Sequence, residues 1–370
     1  MKLTVEVTAT DGAARCGIVR TARGSFRTPV FMPVGTRGTV RAVSTADMER
    51  LGAEIILGNT YHLMLRPGAD VIAELGGLHG FEDWSGHVLT DSGGYQVFSL
   101  GPKISDDGVT FRSTYDGSTH HLTPEAAVRT QEVLGADIQM VLDVCSALPS
   151  SRGQLAEAVE LTAAWAGRAR GAHRRVHDQA LFGIVQGGDD IALRAESAAR
   201  TVALDFDGYA IGGLSVGEPR DAMLPALEAA LAGLPGNQPR YLMGLGDPIG
   251  VIEAIALGVD MMDCVLPTRL GRHGTLLTAS GRVNVRRAEF ARSDAPIDPT
   301  CRCEVCFRYP IGYLRHLVAV GEPTGSTLCT IHNLAWMFAF IDRIRAAIES
   351  GTLDRLRSET ALIWASQPER

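Results

Sequence analysis

Eight short apolar runs, each closing on glycine or a polar residue, constrain this chain more than any other feature. In order they are VFMPVG (30–35), AEIILGNT (53–60), HVLTDSGG (87–94), DIQMVLDVC (137–145), LFGIVQGG (181–188), GYAIGG (208–213), RYLMGLG (240–246) and DMMDCVLP (260–267). Runs this apolar read as strands buried on both faces, as in a parallel sheet covered by helices. Helical patterns fall between most of them. TPEAAVRTQEVLG (123–135) has a Thr-Pro start and a Gly stop, and GQLAEAVELTAAWAGRARGAH (153–173) and DIALRAESAARTVAL (190–204) follow. Eight strand-then-helix units predict an α/β fold, a (β/α)₈ TIM-like barrel; an open doubly wound sheet is the competing arrangement of the same units.

Other segments decorate this frame. GVTFRSTYDGSTHHL (108–122) places Asp-Gly between alternating residues and reads as a hairpin inserted after the third strand. Residues 1–28 alternate like an antiparallel cap. The expected division is a single catalytic domain over 1–370: the cap at 1–28, the barrel at 29–275, and a metal-binding subdomain with closing helices at 276–350. DRIRAAIESGTLDRLRSE (342–359) reads as an exposed helix.

Composition narrows the function classes. Of 370 residues, 45% are hydrophobic and 21% charged, as in soluble globular proteins. The N-terminus has no apolar leader, and the longest apolar candidate, LAWMFAFI (334–341), is too short to span a bilayer. A cytoplasmic protein without membrane contact is expected. The net charge of -7 argues against an indiscriminate DNA binder, though not against a locally basic face.

In a barrel, chemistry gathers where the C-terminal ends of the strands meet. The residues there are Asn59, Asp91, Asp143, Gln186, Gly212, Gly213, Gly244 and Asp263. Taken singly, each is an ordinary turn former or helix cap; together they converge on one mouth. Asp91 and Asp263 can do acid-base or nucleophilic work, while Asp143 and Gln186 offer acceptor and amide edges suited to a heterocyclic base. Asp263 lies among Met261, Met262, Cys264, Val265 and Leu266, company that raises a carboxyl pKa. Arg269 and Arg272, just downstream, are expected to oppose that by favouring the charged form.

Seven cysteines suggest metal or reactive thiols rather than disulfides. CRCEVC brings together Cys301, Cys303 and Cys306, and His332 follows in CTIHNL. Three thiolates and an imidazole suit a closed structural Zn²⁺ site, one per subunit. Spacing alone leaves Cys329 as a competing fourth ligand and free thiols as the plain alternative.

The series GNTYHLMLRPG, LTDSGGYQVFSLG, VQGG, FDGYAIGGLSVGEP, RYLMGLG, DMMDCVLPTRLGRHG and CxCxxC with a later HNL resembles the bacterial-type tRNA-guanine transglycosylases, in order and over about residues 16–350. The resemblance implies exchange of guanine at the wobble position of tRNAs with GUN anticodons for a 7-deazaguanine base, on the way to queuosine. It makes Asp263 the nucleophile on ribose C1′ and Asp91 the general acid and base. It gives Asp143, Gln186, Gly213, Leu214 and Ser92 to the base edge, with Tyr95 and Met243 against the ring. Cys145 and Val216 fit the relatives that take 7-aminomethyl-7-deazaguanine (preQ1). Arg269, Arg272 and Arg286 would meet the tRNA anticodon loop. Asp247 stands where many relatives have lysine. The resemblance also implies a homodimer, with Phe81, Trp84, Tyr309, Tyr313 and His316 as contact candidates. Two other classes compete: a glycoside hydrolase, also built from a barrel and two carboxylates, and a non-enzymic zinc RNA-binding module.

Overall fold

The structure is a computed structural model that describes residues 3–215 and 217–365. Its centre is a ring of parallel strands: β4 (Val30–Met32), β5 (Val34–Gly35), β6 (Ile55–Gly58), β7 (His87–Thr90), β11 (Ile138–Met140), β12 (Ala180–Val185), β13 (Gly208–Ile211), β14 (Arg240–Leu242) and β15 (Met261–Asp263). They pair in the order β4-β15-β14-β13-β12-β11-β7-β6-β5. Since β4 and β5 are two halves of one run divided at Pro33, the nine segments amount to eight strands and the ring closes as a (β/α)₈ barrel. Proline supplies no N–H to the ladder, which accounts for the division; its carbonyl still accepts from Leu57 N at 3.0 Å.

The helices follow their local signals. Thr123 caps Pro124–Leu134 by accepting from Ala126 N, and Gly135 ends it in the left-handed region at φ +79°. Ser151 and Gln154 form a capping box for Arg152–Ala172, and Asp190 caps Ile191–Val202. Val128, Ala166, Ala169 and Ala198 of these helices join the strands in one large core, while Ala158 and Trp165, and Leu155, Val159 and Leu193, form smaller clusters beside it.

The cap is a three-stranded antiparallel sheet of β1 (Val5–Asp11), β2 (Ala14–Arg20) and β3 (Ser25–Thr28). It closes the end of the barrel opposite the mouth. Buried Arg15 donates to both oxygens of buried Asp260 at 2.8 and 2.7 Å, just ahead of β15, and Val5 N bonds Asn237 O at 3.0 Å. The insertion after β7 is larger than a hairpin. β8 (Lys103–Ser105) joins β9 (Gly108–Arg112) and β10 (Thr119–Leu122) in a three-stranded sheet, because Lys103 to Ser105 pair with Gly108 to Thr110.

After the barrel, β16 (Thr275–Thr278) and β17 (Gly281–Asn284) form a hairpin, and the helix Pro323–Glu349 returns across the barrel. Gly271 permits its close approach: a Cβ there would lie 2.8 Å from Thr330 Cα. Asn333 locks the crossing, accepting from Leu277 N at 2.9 Å and donating to the carbonyls of Pro267 and Thr275 at 3.0 and 2.9 Å. The segment expected as one exposed helix is two. Pro323–Glu349 ends before Gly351 (φ +67°), Leu353–Trp364 follows, and Ile344, Ile348, Leu353 and Leu356 are buried. Their apolar faces override the charged pattern read from the sequence. No helix among the described residues is long and apolar enough to cross a membrane.

Candidate active site

The residues at the strand ends meet at one mouth. Asp91, after β7, is buried and receives four hydrogen bonds: from Asn59 Nδ2 at 2.5 Å, Thr60 N at 2.9 Å, Gln96 Nε2 at 3.0 Å and Gly93 N at 3.1 Å. Asn59 sits at the N-cap of Thr60–Leu65 yet makes no side-chain cap bond. Its amide serves the carboxylate instead. Burial raises the Asp91 pKa, and the four donors pull it back only in part. A carboxyl so poised can hold or release a proton.

Asp263 ends β15, half-buried at the rim. Its Oδ1 accepts from Tyr241 Oη at 2.6 Å and from Gly244 N at 2.8 Å. Both of these bonds fall on one oxygen. Burial raises its pKa, these two donors lower it, and the charge of Asp91 raises it further. This corrects the expectation for the arginines: the groups that most favour the charged form are Tyr241 and the Gly244 amide, followed by a backbone hydrogen bond at Asp263 itself, and Arg269 and Arg272 do not rank among them. Burial and the nearby Asp263 charge push the Tyr241 phenol well above its usual range, so it stays a donor.

Asp143 and Gln186 face each other across the floor, Gln186 Nε2 donating to Asp143 Oδ2 at 2.5 Å. Burial pushes Asp143 up to about 6, with Asp91 adding to the rise. Gly213, at φ +63°, packs against Gln186, and a Cβ there would clash with Gln186 Oε1. Beneath it, Arg194 is wholly buried and donates to the carbonyls of Val185, Gly188, Gly212 and Gly213 at 2.7–3.1 Å, stapling the ends of β12 and β13. Leu214 is buried beside Gly213, and buried Ser92 accepts from Gly94 N at 3.2 Å. Cys145 is partly buried, and burial with the Asp143 charge pushes its thiol to about 12, which makes it inert. Val216 lies outside the described residues.

Tyr95 is 62% exposed on the short helix Gly94–Phe98, and Met243 packs against the barrel core. Tyr95 lines a cleft of about 240 Å³ together with Glu218, Arg220, Gly244, Cys264 and Arg269. Arg272 is half-buried next to it, its pKa lowered by burial and by the positive charges of Arg41 and Arg269. Crowded cations of this kind suit an anionic partner. Arg286 is exposed on the turn after β17 and is not among the lining residues. Asp247 has a local explanation: its carboxylate caps Pro248–Ala256 through Gly250 N at 2.8 Å and pairs with Arg220 at 2.8 Å.

The metal-ligating atoms of Cys301, Cys303, Cys306 and His332 all lie within 4.8 Å of one another. His332 Nδ1 is 3.8, 3.5 and 3.3 Å from the three sulfurs in turn, the edge lengths of a small tetrahedron around an ion with S and N ligands. His332 Nε2 lies 2.8 Å from Leu277 O, which assigns the proton to Nε2 and leaves Nδ1 to ligate. Cys329 is not in the cluster; it is buried in the apolar core alongside. Of the dimer candidates, Trp84 is withdrawn: it is 3% exposed and donates to its own chain's His87 O at 2.9 Å. Phe81 is partly buried in the same cluster, Tyr309 and Tyr313 stack with centroids 5.6 Å apart, and His316 is exposed.

The sequence pattern gave no prominence to Tyr241, Gln96 or Arg194. A signal existed for Tyr241, since a tyrosine lining a barrel interior needs a partner for its hydroxyl. Arg194 looks in sequence like one charge among several on an amphipathic helix.

A closed barrel with carboxylates gathered at the C-terminal mouth, beside a cysteine-histidine cluster that could hold a metal ion, has the build of a barrel enzyme. Comparison with known proteins narrows the class. The family model for queuine tRNA-ribosyltransferase matches residues 10–366. Proteins named queuine tRNA-ribosyltransferase from Symbiobacterium thermophilum, Moorella thermoacetica and Brucella suis are 50%, 52% and 49% identical to it. The alignments cover 97%, 94% and 97% of this chain and 90%, 93% and 96% of those proteins. The chain belongs to the queuine tRNA-ribosyltransferase family, whose members are pentosyltransferases.

Proposed function

We propose that this protein is a tRNA-guanine transglycosylase of queuosine synthesis, exchanging the wobble guanine of GUN-anticodon tRNAs for preQ1. The observation that carries the reading is the pairing at one mouth of two differently held carboxylates with the Asp143–Gln186–Gly213 edge. In this account Asp263 Oδ2 attacks C1′ of the ribose as the C1′–N9 bond breaks, the bonding pair leaves with guanine N9, and Asp91 supplies the proton. The ribosyl ester on Asp263 is then displaced by N9 of the incoming base, which gives its proton to Asp91. The cationic character developing at C1′ is stabilised by the carboxylate, as in retaining glycosidases.

Asp143, Gln186, Gly213, Leu214 and Ser92 read the base edge in this proposal, with Tyr95 and Met243 against its faces. The preference for preQ1 rests on Cys145 and on Val216. Arg269, Arg272 and Arg286 hold the anticodon loop, whose unstacked nucleotides make extrusion of the target base easier than in a duplex. Cys301, Cys303, Cys306 and His332 would hold Zn²⁺, one per subunit, in a structural role, since four protein ligands would leave no place for a catalytic water. We further infer a cytoplasmic homodimer without membrane or DNA contacts, each subunit one catalytic domain with a cap at 1–28, a barrel at 29–275 and a zinc subdomain at 276–350. Tyr309, Tyr313 and His316 remain its contact candidates.

The test is incorporation of labelled guanine into unmodified tRNA with a GUN anticodon. Exchange is expected from the wild type; its absence in a folded, zinc-loaded protein would contradict the proposal. Release of free sugar from simple glycosides would point to a hydrolase.

A further inference from the structure

The mouth carries a second cationic group that the roles above leave unused. The tip of the β9–β10 hairpin folds back on the helix Thr60–Leu65. Tyr61 Oη accepts from Thr114 N at 3.2 Å and lies 3.1 Å from Thr114 Oγ1, and His62 Nδ1 is 2.8 Å from Tyr115 Oη. Two guanidinium groups then converge on the Tyr115 ring, Arg66 Cζ at 4.7 Å and Arg37 Cζ at 5.4 Å from its centroid. Arg37 comes from the loop after β5 and Arg66 from the end of the helix after β6.

Both arginines are exposed, and among the described residues neither has a carboxylate partner or donates a hydrogen bond. Many arginines elsewhere on this acidic protein find a carboxylate, among them Arg20 with Glu6, Arg168 with Glu125 and Arg357 with Glu253. Two like charges drawn to one ring repel each other, and an anion beside them relieves the repulsion. The place matters as well. Thr60, which starts the helix that holds Tyr115, donates to Asp91. Around the ring, the loops after β15, β5 and β6 carry Arg269, Arg272, Arg41, Arg37 and Arg66, while the base-reading residues follow β11, β12 and β13. One half of the mouth is cationic and the other offers acceptors and amides.

We propose that Arg37, Arg66 and Tyr115 form a second RNA-binding site, which holds a nucleotide flanking the target one. Its phosphate lies against the two guanidinium groups and its unstacked base against the tyrosine ring. Arginine and lysine neutralise phosphates without regard to sequence, and an aromatic face stacks any base. The hydrogen bond between His62 and Tyr115 and the flanking arginines hold the ring in place before RNA arrives. This inference rests on the RNA substrate proposed above.

The test compares full-length wild type, R37A/R66A and Tyr115→Leu. Each is measured for binding of a labelled GUN anticodon stem-loop RNA across a salt series, and for KM and kcat of guanine exchange. The double variant is expected to bind at least about tenfold more weakly, and its log-log salt slope should flatten by roughly 0.7 for each phosphate that is no longer neutralised. Tyr115→Leu should raise KM for tRNA severalfold, with KM for the free base and kcat kept. Wild-type affinity and slope in variants of unchanged melting temperature would overturn the site, including the case in which the patch serves an acidic protein instead. Because binding is read directly, RNA binding without guanine exchange would sink the exchange reaction while leaving this site supported or refuted by its own slopes. A wild type that binds no RNA would overturn both.

Discussion

At the barrel mouth, burial raises the pKa of Asp91, Asp143 and Asp263, and Asp91 adds repulsion to the other two. In the appendage, three cysteines and His332 point their ligating atoms at one another, within 4.8 Å. Both regions crowd polar groups that would be more comfortable in water. Among the described residues these three carboxylates pair with no cation; Asp91 and Asp263 are held by neutral donors such as Asn59, Gln96 and Tyr241, so in the proposed reaction their strain would be relieved when substrate arrives. The appendage would close all four of its ligands on a single ion, so its strain would be relieved once, during folding. One region is destabilising and therefore reactive; the other is stabilising and therefore inert. That contrast can be broken or sharpened experimentally.

The largest effect should come from Asp263→Asn, which removes the proposed nucleophile from a site where burial works against its charged form. Guanine exchange should fall on the order of 10⁴-fold or more, with a melting temperature equal to or above wild type. A large fall in melting temperature would place Asp263 with the structural residues instead. In the appendage the opposite is expected. Cys306→Ser, or Zn²⁺ removal by chelation, should cost several kcal/mol, a sizeable part of the roughly 10 kcal/mol or more that structural zinc contributes. Calorimetry with metal analysis reads this, and an unaltered melting temperature in metal-free protein would erase the contrast.

Asp143→Asn is expected to stabilise the free enzyme while it weakens base binding. A carboxyl whose pKa rises on folding to about 6 contributes most at low pH, below its unfolded value, and loses that contribution as pH climbs to about 6. At about 1.36 kcal/mol per unit, the gain on replacing it should reach roughly 3 kcal/mol above that window. It should vanish near pH 4, as denaturant melts at the two pH values would reveal. Tyr241→Phe should have the smallest effect. Losing a donor to the Asp263 carboxylate raises its pKa, so the acid limb of the kcat profile should move to higher pH by about one unit, with kcat on that limb lowered about tenfold. An unmoved limb would mean that the Gly244 amide alone holds Asp263.

How far the sequence revealed all this depends on the distance over which each feature is decided. Thr123, Ser151 and Asp190 announce helix starts from within one turn, and the eight apolar runs carry their own periodicity, so barrel and helices were legible. The CRCEVC cluster was legible for the same reason. The choice of His332 over Cys329 was not, because it turns on which side of a helix faces the cysteines once β16 supplies the Leu277 carbonyl. Tyr241, Trp84 and Arg194 were illegible because their partners are strands or loops set by ring closure. Arg269 and Arg272 follow Asp263 closely in sequence, yet Tyr241, more distant along the chain, supplies the bond. Proximity along the chain suggested that these arginines favour the charged form, where the barrel supplies neutral donors instead.

The most direct test of the account is to trap the reaction at its midpoint. Wild type and Asp263→Asn would be incubated with the anticodon stem-loop RNA, denatured, separated on a gel, digested and mapped by mass spectrometry. The account predicts an enzyme–RNA adduct on the wild-type peptide containing Asp263 and none on the variant. An adduct on Asp91, or brisk guanine exchange by Asp263→Asn, would contradict it.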